Sequence, residues 1–173
     1  MSLTIRLRLN GREETLTVHP DETLQSVLRG RCGLSSVRLT CGIGLCGVCT
    51  VLLDGQPVSS CLVLAPLAAG REILTVEGLP ADDPVLRAFV AGNAFQCGYC
   101  TPGFVLSARA LLRAHPLPDR ALIRQYLAGN LCRCGSYYAI EEAVLLAARL
   151  AAGEPPAARP PGSESPARLT DHR

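Results

Sequence analysis

The chain has 173 residues, 48% of them hydrophobic, which is apolar material enough for one ordinary core or two small ones. Its 17 basic and 15 acidic residues leave a net charge of +2, only 4% are aromatic, and Lys and Arg form no cluster, so there is no electrostatic footprint for nucleic acid. No stretch approaches the ~18 apolar residues of a membrane span, and MSLTIRLRLNGREE lacks the apolar run of a signal peptide; a soluble, cytoplasmic protein is expected.

In chain order, Leu3, Ile5, Leu7 and Leu9 alternate with polar residues, Asn10-Gly11 supplies a two-residue turn, and Leu16 and Val18 resume the alternation, which predicts a β-hairpin. Leu24, Val27 and Leu28 fall at helical spacing, with Asp21 as the expected N-cap and Gly30 as the stop. After a glycine-rich loop, strands are expected at Thr50–Leu53, from Val58 onward and at Ile73–Val76. A small α+β domain over residues 1–78 follows from this pattern.

The second half has helical periodicity. Asp83-Pro84 reads as an N-cap with Pro at the first helical position, ahead of Val85, Leu86, Phe89 and Val90, and Thr101-Pro102 repeats the device. A third helix runs from Asp119 to Gly129-Asn130 and a fourth from about Ala139 to Gly153, so residues 79–153 are expected to form an all-α four-helix bundle. From Glu154 to the end, five prolines and few large apolar groups predict a disordered tail, 154–173.

Nine cysteines make up about 5% of the chain, below the ~8–10% of secreted disulfide scaffolds, and in a reducing compartment such clusters are more often metal ligands. Cys41, Cys46, Cys49 and Cys61 follow C-x4-C-x2-C with a distant fourth thiol, the spacing of plant-type 2Fe–2S ferredoxins. A binuclear core needs two thiolates per iron, so a loop must wrap it while a fourth ligand arrives from elsewhere. Gly42, Gly44 and Gly47 let backbone N–H groups approach the sulfurs of an anionic cluster. Structural zinc usually takes two C-x2-C-like hairpins and does not need these glycines.

Cys97 and Cys100 in QCGYCTPG, and Cys132 and Cys134 in GNLCRCG, each sit at a break between helices, where helix N-termini favour anionic sulfur. Four thiolates could meet there around a second metal group. A zinc site or a thioredoxin-type dithiol at Cys97/Cys100 remains open on this half alone, although the segment before Cys97 reads as helix rather than strand, and a dithiol leaves Cys132 and Cys134 without a purpose. Cys32 is expected to be a small buried hydrophobe, and Tyr99, Tyr137 and Tyr138 to be packing residues. No His has ligand spacing, and no Ser-His-Asp set, phosphate loop or dinucleotide fingerprint occurs.

Together, CGIGLCGVCTV, the SCL at Ser60–Leu62, TVEGL at Thr75–Leu79, AFQCGYCTPGF and GNLCRCGSYYAI resemble the iron–sulfur subunit of the molybdenum hydroxylases, the family of xanthine dehydrogenase, aldehyde oxidoreductase and carbon monoxide dehydrogenase. Leu45, between Gly44 and Cys46, is similar to the isoquinoline oxidoreductase branch. The resemblance implies a β-grasp, plant-type ferredoxin-like domain and a four-helix domain, each with one 2Fe–2S cluster. It implies that Cys97, Cys100, Cys132 and Cys134 hold the molybdenum-proximal cluster, with Gln96 and Cys134 contacting the molybdopterin, and that Cys41, Cys46, Cys49 and Cys61 hold the distal one. Molybdopterin lies, by the same resemblance, on a large partner subunit, and the electron acceptor is FAD on a medium subunit or a cytochrome. An electron-transfer subunit without catalysis of its own is expected; the alternative is an independent carrier with two 2Fe–2S clusters.

Overall fold

A computed structural model describes residues 1–154. The expected tail lies outside the described residues except for Glu154.

The first half is a five-stranded mixed sheet with one helix. Strands β1 (Leu3–Leu9) and β2 (Arg12–Val18) form the expected hairpin, with Leu3 opposite Val18 and Leu9 opposite Arg12. Strands β3 (Thr50–Leu53) and β4 (Gln56–Ser59) form a second hairpin, and β5 (Glu72–Leu74) lies between the two, parallel to β1 and antiparallel to β3. The order β2-β1-β5-β3-β4 leaves β2 and β4 at the edges, where β2 carries Arg12, Glu13 and Glu14 and β4 carries Pro57. Helix α1 (Leu24–Gly30) packs Leu24, Val27 and Leu28 against Leu7, Val18, Val51 and Ile73 in the first core.

Two local expectations for this half are corrected. Thr23, not Asp21, caps α1: its backbone is extended and its hydroxyl accepts the N–H of Ser26 (3.2 Å), while Asp21 falls in the preceding turn. The last strand stops at Leu74, short of Val76. The Thr75 N–H donates to Asn10 Oδ1 (2.8 Å) instead of to a strand neighbour, and Val76–Gly78 closes into a 3-10 turn.

The second half contains α2 (Pro84–Ala91), α3 (Thr101–Ala114), α4 (Arg120–Tyr126) and α5 (Tyr137–Ala151). Asp83 caps α2 as expected, accepting from Val85 N (2.9 Å), and Asp119 caps α4 through Leu122 N (2.7 Å). The start of α3 differs: Cys100 is the N-cap, while Thr101 and Pro102 are already helical. Helix α5 begins at Tyr137, two residues before the expected start. Phe89, Phe104, Leu111, Ile123 and Val144 form the second core.

Strand β3 joins the halves. Its pleat sends Val51 and Leu53 into the first core and Leu52 to the opposite face, against Leu106 and Ala110 of α3. All four residues of β3 are therefore buried, where a sheet with one solvated face would alternate. Among the described residues no helix is long and apolar enough to cross a membrane.

Candidate metal centres

All nine cysteines are free, and eight gather as two sets of two pairs. In the sheet half, the Cys41 thiol is within hydrogen-bond reach of Cys46, and Cys49 is within reach of Cys61. In the helical half, Cys97 meets Cys134, and Cys100 meets Cys132. Two thiol pairs per set match a core of two metal atoms, each taking one pair. Among the described residues, no three such side chains converge on the position of a single ion.

The loop from Cys41 to Cys49 owes its shape to Gly42, Gly44 and Gly47, all at positive φ. It directs the backbone N–H groups of Ile43, Cys46 and Leu45 at the Cys41 sulfur, and these contacts, led by Ile43, hold that thiol down at about 6. Burial and the neighbouring Cys49 push Cys61 up to about 11. Cys61 is fixed by its neighbour Ser60, fully buried, whose hydroxyl donates to Cys49 O (2.6 Å).

At the second set, the N–H of Tyr99 is the main donor that lowers Cys97, while burial raises Cys100 to about 12. Burial opposes ionisation of Cys132, yet its pKa is lowered, chiefly because the Ser136 N–H donates to its sulfur (3.4 Å). Two hydroxyls beside these thiols are buried without a well-formed hydrogen bond: Thr101 Oγ1, and Ser136 Oγ, which has only the Cys132 sulfur near it as an acceptor. Such poorly satisfied donors are costly unless an acceptor occupies the site, and bridging or cysteinyl sulfur is such an acceptor. A cavity of about 370 Å³ lined by Cys46, Cys97, Cys100 and Cys132 opens between the sets. Donor set, N–H groups and these hydroxyls all fit an anionic iron–sulfur cluster.

The two sets abut. Leu131 N donates to Cys46 O (2.9 Å), and Asn130, 6% exposed, donates through Nδ2 to Gly47 O (3.0 Å) while accepting from the Ser107 hydroxyl (2.9 Å). A Cβ on Gly47 would lie 2.4 Å from Gly129 O, and one on Gly103 would lie 2.2 Å from Gly47 O, so only glycine permits this approach. Gln96, which the resemblance singled out, donates to Cys134 O (3.3 Å), so these two exposed or half-exposed residues stand side by side at the surface.

Sequence reasoning missed Asn130, Arg38 and Tyr137. Tyr137 was expected only to pack; its ring does lie edge-on to Phe104, but its hydroxyl also accepts the Cys132 N–H (2.9 Å). The Asn beside Gly129, and the Tyr just after the last cysteine, were the available signals. Cys32, expected to be buried, stands apart from both sets and is only half-buried against the first core, with its pKa raised by burial.

A family model described as "2Fe-2S iron-sulfur cluster binding domain" matches residues 7–75, and one described as "2Fe-2S binding domain" matches residues 75–145. The nicotine 6-hydroxylase small subunit of Paenarthrobacter nicotinovorans is 47% identical over 143 residues, covering 82% of this chain and 87% of its own length. Among solved structures, quinoline 2-oxidoreductase from Pseudomonas putida 86 aligns with a TM-score of 0.82 at 38% identity, covering 88% of this chain and 98% of the matched one. Aldehyde oxidoreductase from Desulfovibrio gigas aligns with a TM-score of 0.84 at 36% identity over 89% of this chain but only 18% of that larger one. A ferredoxin-like domain followed by a helical domain, two 2Fe–2S sites and these relatives lead to one conclusion: the chain belongs to the iron–sulfur subunits of the molybdenum hydroxylases.

Proposed function

We propose that this chain is the electron-transfer subunit that carries single electrons from the molybdopterin centre of a large partner subunit to FAD on a medium subunit or to a cytochrome. The reading rests most on one observation: two sets of paired thiols stand back to back, joined by the Leu131 N–H to Cys46 O hydrogen bond. When bound, each 2Fe–2S cluster takes up and passes on one electron at a time, which is what draining a two-electron centre requires.

In this reading Cys97, Cys100, Cys132 and Cys134 are the ligands nearest the molybdenum, and Cys41, Cys46, Cys49 and Cys61 the distal ligands. The chain divides into a β-grasp domain, 1–78, a four-helix bundle, 79–153, and the tail from 154. The Gln96 side chain and the Cys134 sulfur form the contact with the molybdopterin; Gln96 is exposed and Cys134 half-exposed, beside the exposed Phe95, Leu131 and Tyr138, which suits a surface that a large subunit covers. At the distal set, Ile43, Leu45 and Leu62 are each more than 60% exposed, and Asp54 is the single charged residue between Leu39 and Ala69. A broad uncharged apolar face suits a permanently bound acceptor subunit better than a transient ionic encounter. Such a complex would work in the cytoplasm.

The test is isolation of the native protein. About four irons per chain, two separable 2Fe–2S electron paramagnetic resonance (EPR) signals and a co-purifying large molybdenum-containing chain are expected; both signals without that chain would instead indicate an independent carrier. Gln96→Ala should leave iron unchanged but slow reduction by substrate, and an unchanged rate removes Gln96 from the cofactor contact.

A further inference from the structure

Arg38 belongs to the sheet half but does its bonding in the helical half. Its backbone is anchored, because Val37 is buried in the first core and Val37 O accepts from the buried Gln25 side chain (3.2 Å). From there the guanidinium crosses to the second cysteine set, where Nη1 donates to Gly98 O (2.8 Å) and Tyr99 O (2.7 Å). It lies 4.9 Å from the centroid of the Tyr99 ring, whose hydroxyl donates back to Leu39 O (3.3 Å). Gly98 and Tyr99 are the two residues between Cys97 and Cys100. Among the described residues no carboxylate forms an ion pair with Arg38.

The peptide between Gly98 and Tyr99 is thus loaded at both ends. Its carbonyl accepts from Arg38 and its N–H donates to the Cys97 sulfur. A cation on the carbonyl polarises the peptide and strengthens the N–H as a donor. The charge is held on the two residues that separate Cys97 from Cys100, with Arg38, Gly98 and Cys100 half-buried and Cys97 and Tyr99 exposed.

We propose that Arg38 is a positioning residue lent by the sheet half to the helical half, where it holds the Cys97–Cys100 loop and raises the reduction potential of the group bound by Cys97, Cys100, Cys132 and Cys134. The inference rests on the ligand reading above. One-electron reduction adds one negative charge to that group, and a fixed cation favours the reduced form. The relay's first acceptor is thereby tuned from the other half of the molecule, while the distal set is left untouched.

The test is an EPR-monitored redox titration of the full chain, or of its complex, with both clusters loaded. Arg38→Gln should keep about four irons and make the helical-half cluster at least tenfold harder to reduce, a fall of about 59 mV for one electron, with the sheet-half midpoint unchanged. Arg38→Lys, which keeps the charge but not the two-carbonyl grip, should recover at least half of that shift; Tyr99→Phe should give a smaller shift of the same sign. An unchanged helical-half midpoint in Arg38→Gln, equal shifts at both clusters, or Arg38→Lys shifting as far as Arg38→Gln would each overturn the proposal. Should Arg38→Gln lose iron, Arg38→Lys decides: full iron with a near-native midpoint supports the proposal, and full iron with a tenfold shift overturns it. Absence of two 2Fe–2S signals in the unmodified chain would overturn the ligand reading instead.

Discussion

In the sheet half, three of the four thiols come from one loop, Cys41 to Cys49, and the fourth arrives just past β4. The helical half draws two thiols from the start of α3 and two from the segment between α4 and α5. The first site is shaped by backbone: glycines at positive φ turn N–H groups inward, and its braces, from Ser60, Asn130 and Leu131, bond backbone carbonyls of the loop. The second is shaped by side chains from several elements, with Arg38, Tyr137 and the hydroxyls of Thr101 and Ser136 around it. A loop-built site depends on local conformational freedom, whereas a helix-built one depends on the tertiary structure that aligns its helices.

The largest effects should come from the proposed ligands. Cys49→Ser and Cys100→Ser are each expected to cut iron from about four to about two per chain, each deleting a different EPR signal; loss of both signals from either change would show that the sites do not assemble separately. Gly47→Ala should blur the contrast, because the new Cβ strains a φ of +65 and strikes the Gly129 carbonyl and Asn130 at once. A loss of about 2–4 kcal/mol is expected, with both signals perturbed. Asp83→Ala should sharpen the contrast: it removes the α2 cap and the buried carboxylate partner of Arg109, at a cost of about 2–3 kcal/mol. Hydrogen exchange should quicken in α2 and α3 and remain slow in β1–β3.

The smallest effect is acid sensitivity. The Arg124 and Arg120 guanidiniums hold Glu141, buried on α5, below its usual 4.5. A depressed folded-state pKa means that the stabilisation is fully present above the unfolded value and is lost as pH falls through the folded one. The helical half should therefore weaken below about pH 4.5, and Glu141→Gln should flatten that part of the melting-temperature profile.

The first site was legible because its information is local: cysteine spacing and glycines lie within one loop. At the second, helix breaks suggested that the two pairs could meet, but zinc or a redox dithiol stayed open until the family resemblance, since nothing near Cys97 specifies Cys134. Arg38, Asn130 and Tyr137 illustrate the rest. Arg38 reaches Gly98 across 60 residues and Asn130 reaches Gly47 across 83, separations that no periodicity encodes. Tyr137 acts only five residues away, but its phenol could pack or accept equally well, and geometry alone decides. The α1 cap was misplaced because Asp21 and Thr23 are both good caps; Thr23 prevails by also bridging Leu64 across the fold.

The edges of the sheet bear on how such a chain survives before assembly. If other polypeptides cover the two cysteine faces as proposed, the subunit is alone until they do, with open strand edges that could template pairing between copies. Pro57 removes a donor from β4, while Arg12, Glu13 and Glu14 place charge along β2. Both routes to strand addition are thus blunted, so its surfaces for larger partners can stay exposed without the free subunit growing into aggregates through its sheet.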